Sequence, residues 1–252
     1  MNKNFSILIL LFNFFLINLK SFSQQDQVFS QFYTSGMYLN PALGGMDTRF
    51  SVAALYRSQW TGLNPINTAL VNAVVPVNGG EDKTIHRGGF GINLYNTDYG
   101  EGLMIKTGAS LNIAYNLFFK SSVSQKITFG VKAGIMQTQF NLSNLRYGSQ
   151  YDPDAPDGFN SALSGEPDLN NALTKIIPDI SSGLLYYYNV GRDIYAPGIS
   201  GYLGVAVSHL TSPNAAFSSN ATDKVPMFIK VHGGMEIHLA KRINFAPNAL
   251  YA

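Results

Sequence analysis

The stretch IKTGASLNIAYNLFF, residues 105–119, decides the fold. Ile105, Thr107, Ala109, Leu111, Ile113, Tyr115 and Leu117 make one row, and Lys106, Gly108, Ser110, Asn112, Ala114 and Asn116 make the other. Alternation with a period of two places one row on each face of a β-strand. Strands of globular proteins cluster near about 5–6 residues, whereas a tilted strand that crosses a bilayer uses about 9–11. Length and content together read as a strand with lipid on its Leu/Ile/Tyr row and a wet or side-chain-filled lumen on its Lys/Ser/Asn row.

The same rhythm recurs along the chain. Residues 49–60 set Phe50, Val52, Ala54, Tyr56 and Trp60 against Arg49, Ser51, Arg57 and Gln59. Residues 126–142 set Ile127, Phe129, Val131, Ala133 and Ile135 against Thr128, Gly130, Lys132 and Gly134. Further alternating segments cover 67–77, 89–96, 180–189, 201–210, 227–239 and 242–251, so about nine strands are expected over 49–252. Aromatic residues stand at segment ends: Trp60, Tyr115, Phe118, Phe119 and the run Tyr186, Tyr187, Tyr188. Interfacial girdles would place rings there. In hydrocarbon every backbone N–H and C=O must be paired within the protein, which strands achieve by closing into a barrel. The expected fold is therefore all-β, an antiparallel transmembrane β-barrel of the outer-membrane type. With the amino terminus in the periplasm, outward connections fall at 61–66, 97–101, 143–177 and 211–225, and inward ones at 78–87, 120–125, 190–200 and 240–241. The two longest lie outside, as outer-membrane barrels arrange them.

Composition agrees. Of 252 residues, 46% are hydrophobic and only 13% are charged, about half the charged fraction of a soluble domain. Beyond the amino terminus no apolar run approaches the roughly 20 residues a spanning helix needs. There is no cysteine, which excludes disulfides and thiolate metal sites. Residues 1–23 read as a signal peptide: Lys3, an apolar run over 5–19, then Ser21 and Ser23 before a cleavage point at Gln24. The mature chain then carries 15 basic and 15 acidic residues, which argues against a nucleic-acid partner.

Candidate chemistry is sparse. His232, Glu236 and His238 share a strand face, but their spacing spreads them over more than about 13 Å, too far for one metal ion. The segment DPDAPDG, residues 152–158, has carboxylates ahead of a glycine but lacks the glutamate a calcium loop places at its twelfth position, where Leu163 stands. Ser208 and His209 are adjacent, so on a strand they point to opposite faces, and no G-x-S-x-G elbow occurs. No enzyme activity, cofactor or metal is expected. The glycines of SGYLGVAVS lack a following helix and read as close packing and curvature in a barrel wall.

Residues 24–48 are a segment of their own. Phe29, Phe32, Tyr33, Met37, Tyr38 and Leu39 are too aromatic for a floating tail, and Asn40-Pro41 with Gly44-Gly45 turns the chain before the first strand. The segment could plug the lumen or dock periplasmic partners. The start QQDQVFSQFYTSGMYLNPALGG, the motif YRSQWTGL and, in order, GGFGINLYNTDYG, ITFGVKAGIMQTQFNLSNL, PDISSGLLYYY, YLGVAVSHL and HGGMEIHLAKRINFAPNALY resemble the PorP/SprF family of type IX secretion system membrane proteins. That resemblance covers nearly all of the chain from Gln24. It implies an outer-membrane protein of the secretion and gliding machinery, exported to the outer membrane of a Gram-negative cell. Its implied partners are periplasmic and outer-membrane secretion components, secreted surface proteins and outer-membrane lipid. The family also implies more strands than nine, so the closing strands are expected to lie outside this sequence. The motif residues carried over as partner-docking candidates are Phe29, Gln31, Asn40, Pro41, Tyr56, Arg57 and Trp60. A passive porin or hydrophobic-solute transporter is the competing class.

Overall fold

A computed structural model describes residues 27–62, 64–79, 82–100, 102–119, 122–141, 148–156, 158–160, 163, 173–189, 199–217, 221–240 and 243–252. The expected signal peptide lies outside the described residues. Three short 3-10 helices, Phe32–Thr34, Gly36–Tyr38 and Pro41–Gly45, precede the strands. The strands are β1 (Ser51–Gln59), β2 (Ile66–Gly79), β3 (Asp82–Tyr99), β4 (Met104–Phe119), β5 (Ser122–Phe140), β6 (Leu173–Asn189), β7 (Ile199–Ser208), β8 (Phe228–Ala240), β9 (Ile243–Phe245) and β10 (Asn248–Tyr251). All ladders are antiparallel, and sequence neighbours pair in turn from β1 to β8. Both β9 and β10 pair with β8. The path ends at β1 on one side and β10 on the other. The all-β antiparallel sheet is as expected, while closure into a barrel is not seen.

Several boundaries differ from the sequence reading, and the causes are local. The expected ninth strand over 242–251 divides into β9 and β10 around Ala246 and Pro247. Proline has no N–H for the ladder and interrupts a paired strand, and here its carbonyl accepts from Met235 N (3.1 Å) instead. β6 begins at Leu173, inside the segment expected to be loop up to residue 177. Pro178 falls inside β6. It is accommodated because β7 pairs with β6 only from Ser182 to Asn189, leaving Pro178 on a stretch paired with β5 alone, and a one-sided edge tolerates a missing donor. β3 and β5 likewise start earlier than their apolar rows, at Asp82 and Ser122. Backbone pairing continues past the point where hydrophobic alternation stops, so the turns are shorter than expected.

The two faces partition as the opening stretch suggested. Along β4, Leu111 is 65% exposed and Ile113 57%, while Gly108, Asn112, Ala114 and Asn116 are buried. β5 repeats this with Phe129, Val131 and Ile135 out and Thr128, Gly130 and Lys132 in. The buried side is polar and the exposed side apolar, the inverse of a soluble sheet. What covers the polar side is the chain's own amino-terminal segment.

The sheet curls around that segment. The Tyr38 ring lies 5.5 Å from the Tyr95 ring on β3, with Lys132 Nζ of β5 at 5.6 Å and Lys230 Nζ of β8 at 5.5 Å from its centroid. On a flat sheet five strand spacings of about 4.8 Å would separate β3 from β8 by about 24 Å. Side chains standing roughly perpendicular to a sheet meet at one ring only if the sheet bends toward it.

Candidate functional site

The site is the interior occupied by residues 27–46, which carry no charged side chain. Local chemistry shapes this strap. Asn40 is extended (φ −144°, ψ 119°), and its Oδ1 accepts from Ala42 N at 2.9 Å, capping Pro41–Gly45. Asparagine at such a cap, with proline in the first helical position where its missing N–H costs nothing, starts the turn. The strap then satisfies much of its own backbone: Tyr38 N donates to Ser35 O, Leu39 N to Gly36 O, Leu43 N to Asn40 O and Met46 N to Leu43 O.

The sheet also grips carbonyls of the strap. Asn72 Nδ2 of β2 donates to Ser35 O (2.9 Å), Asn112 Nδ2 of β4 to Pro41 O (2.9 Å) and Asn116 Nδ2 to Gly45 O (2.8 Å). Lys126 Nζ of β5 donates to the same Gly45 carbonyl at 3.1 Å. Thr128 Oγ1 donates to Asn116 Oδ1 (2.6 Å), which orients that carboxamide.

Asn40 is the anchor in the other direction. It is 0% exposed, and its Nδ2 lies 3.2 Å from Leu184 O on β6, 3.4 Å from Val205 O on β7 and 2.9 Å from His232 Nε2 on β8. Because Oδ1 is engaged by Ala42 N, the group facing His232 is the amide, and His232 Nε2 is the unprotonated acceptor. Two inward glycines make this approach possible. A Cβ on Gly183 would collide with the Asn40 carboxamide, and one on Gly130 with the Pro41–Ala42 peptide. These glycines, and Gly204 of SGYLGVAVS beside His232 and Asn40, make room for the strap; curvature alone does not account for them.

The strap runs lengthwise. Gln27 Nε2 donates to Tyr99 Oη (2.6 Å) at the end of β3, and Arg57 Nη1 donates to Gln27 Oε1 (3.5 Å). Both mark the end of the sheet that bears the long connections. Gly45 meets Asn116 and Lys126 nearer the short turns. Between them Phe29, Tyr38 and Leu70 form a small apolar cluster with Leu55 and Tyr95. Beside Tyr38, toward the long connections, lies a cavity of about 330 Å³ lined in part by Tyr95, Tyr99, Phe140, His209 and Phe228.

Of the motif residues, Phe29, Asn40 and Pro41 are buried against their own chain and Gln31 is exposed. Tyr56 is on the outer face of β1, and Trp60, 71% exposed, has turned out of the strand with φ 62°. The structure brings Asn40 and Pro41 together in the interior and leaves Tyr56 and Trp60 outside. Of the residues that hold the strap, Asn112, Asn116 and Gly130 were read only as part of a generic lumen row, and Asn72, Lys126 and Gly183 were not singled out. Their signal was the recurrence of Asn and Gly on inward positions, which side-chain type alone does not assign to a peptide ligand.

Other candidates resolve differently. Ser208 and His209 are both buried, contrary to the expected opposite faces, because His209 lies just past β7 with φ 57°, which swings its ring inward. His209 Nδ1 meets Asp179 Oδ1 at 2.8 Å, and Lys132 Nζ approaches Asp179 Oδ2 at 3.7 Å. Asp152 closes its own small hairpin, accepting from Asp154 N and Asn160 Nδ2, both at 3.1 Å. Among the described residues no three His, Cys, Asp or Glu side chains gather as a metal site.

An antiparallel sheet with an apolar exposed face and a polar face folded over its own chain has the partition of a membrane β-protein. The family model for the type IX secretion system membrane protein PorP/SprF matches residues 21–252, and the chain belongs to that family. No curated protein and no solved structure matches.

Proposed function

We propose that the chain is an outer-membrane β-barrel of the type IX secretion and gliding machinery that works by protein–protein contact and not by conducting solutes. The observation that carries this reading is the pairing of an outward apolar row with an interior filled by residues 27–46. The barrel anchors in lipid through its outer face. The short turns face the periplasmic machine, and the long connections, with the cavity beside Tyr38, face exported surface proteins. Family motif residues that reach the exterior, Tyr56 and Trp60, serve at the lipid boundary or a neighbouring membrane subunit. The rival, a passive porin, requires an open lumen, and the strap argues against it.

Crosslinking the intact protein in its native outer membrane and identifying what co-purifies tests the reading. Recovery of secretion components or exported surface proteins is expected. Recovery of neither, together with steady conductance in reconstituted bilayers, overturns it in favour of the porin.

A further inference from the structure

We propose that the inward asparagine row of β2, β3 and β4 is a binding track for an extended, uncharged polypeptide segment, which the strap occupies in cis without using all of its hydrogen-bonding capacity. The donors of the row address main chain: Asn72 and Asn112 hold the carbonyls of Ser35 and Pro41 and ignore strap side chains. The acceptors tell the rest. Asn72 Oδ1, Asn93 Oδ1 and Asn112 Oδ1 are buried and have no hydrogen-bond partner among the described residues. Asn93, 1% exposed, spends its amide on Ser110 Oγ at 3.5 Å and makes no hydrogen bond to the strap. A buried carboxamide oxygen without a donor is costly and calls for a ligand group.

The strap does not supply those donors, and its turns direct the N–H groups of Thr34, Ser35, Tyr38, Leu39, Asn40, Leu43 and Met46 back onto its own carbonyls. An extended segment can, since it presents N–H and C=O together and a carboxamide pairs with both. Spacing fits as well. Asn72 faces Asn93 directly in the ladder, and Asn112 lies two residues along β4 from Ser110, the partner of Asn93. Directly opposed residues sit about 4.5–5.5 Å apart and diagonal ones about 7–8 Å, and an extended chain advances about 6.6 Å in two residues. The strap is thus an autoinhibitory occupant, and a β-prone neutral segment of another polypeptide is the ligand that completes the site.

The test uses the full mature chain in detergent with a protease site inserted in the 47–50 connection. After cleavage, a fluorescent peptide of residues 27–46 and an unlabelled neutral β-prone peptide of ten alternating Val and Thr residues are the probes. The labelled strap peptide is expected to exchange in, and the Val/Thr peptide to displace it. Asn93→Ala separates the two modes: competition by the Val/Thr peptide weakens roughly fivefold, the size of one modest hydrogen bond, while strap-peptide binding changes by less than about twofold. No displacement at millimolar peptide, or equal weakening of both probes by Asn93→Ala, overturns the proposal. Should the cut protein unfold, the uncut chain decides. Added Val/Thr peptide is expected to speed hydrogen exchange of residues 36–46, and unchanged exchange overturns the track. Neither readout depends on which partners are recovered from the membrane.

Discussion

Leu111 and Asn112 are neighbours in β4, yet they meet opposite worlds. Leu111 is an apolar side chain left 65% exposed, and Asn112 is a polar one buried at 1%. In a soluble sheet each would be misplaced. The contrast teaches that in this protein packing specificity sits on the polar face. The outer row needs only to be apolar, whereas inward residues such as Asn72, Asn112 and Asn116 each meet a particular atom of the strap.

Four measurements can break or sharpen this contrast. The largest effect is expected outside. Leu111→Arg places a guanidinium in the proposed hydrocarbon zone and should destabilise the protein by about 2–4 kcal/mol, read from urea titration in lipid vesicles. A loss below about 1 kcal/mol would remove that face from the bilayer. Next comes Gly183→Ala, whose methyl overlaps the Asn40 carboxamide and should cost about 1–3 kcal/mol as overpacking. Adding Asn40→Ala should relieve most of that cost, giving a coupling of at least about 1 kcal/mol in the double-mutant cycle. Simple additivity would show that the strap does not pack there.

Asn112→Ala should cost less, about 1 kcal/mol. It strips the donor from the buried Pro41 carbonyl but also removes an unpartnered oxygen. Its signature is local, faster hydrogen exchange in residues 41–46 with the sheet unaffected. The smallest effect is expected at Tyr56, exposed on β1. Tyr56→Ala should change stability in detergent by less than about 0.5 kcal/mol, and a larger loss appearing only in bilayers would sharpen its assignment to the lipid boundary.

How much of this was legible depended on range. The alternation of residues 105–119 reported its two faces directly, because which side a strand residue points to is set by the backbone itself. Tyr188, on the exposed face at the end of β6, closes its apolar row for the same reason. Strand limits were less legible: backbone pairing of β3, β5 and β6 outruns the hydrophobic pattern. His209 escaped its expected face through a single left-handed residue. The candidate site was half legible. Asn40-Pro41 announced a turn, but nothing in spacing says that the carboxamide of Asn40 would lie between Gly183 and Gly204, more than 140 residues away.

By itself the sequence determined the class of the sheet: which residues alternate, which row is apolar, and that no run beyond residue 23 suits a spanning helix. Those properties follow from local backbone geometry and from composition. Only the tertiary structure decided what the polar row is for. The partners of Asn72, Asn112, Asn116 and Lys126 are main-chain carbonyls, chemically the same at every residue, so no side-chain pattern identifies them until the sheet has curled and brought the strap within hydrogen-bonding distance.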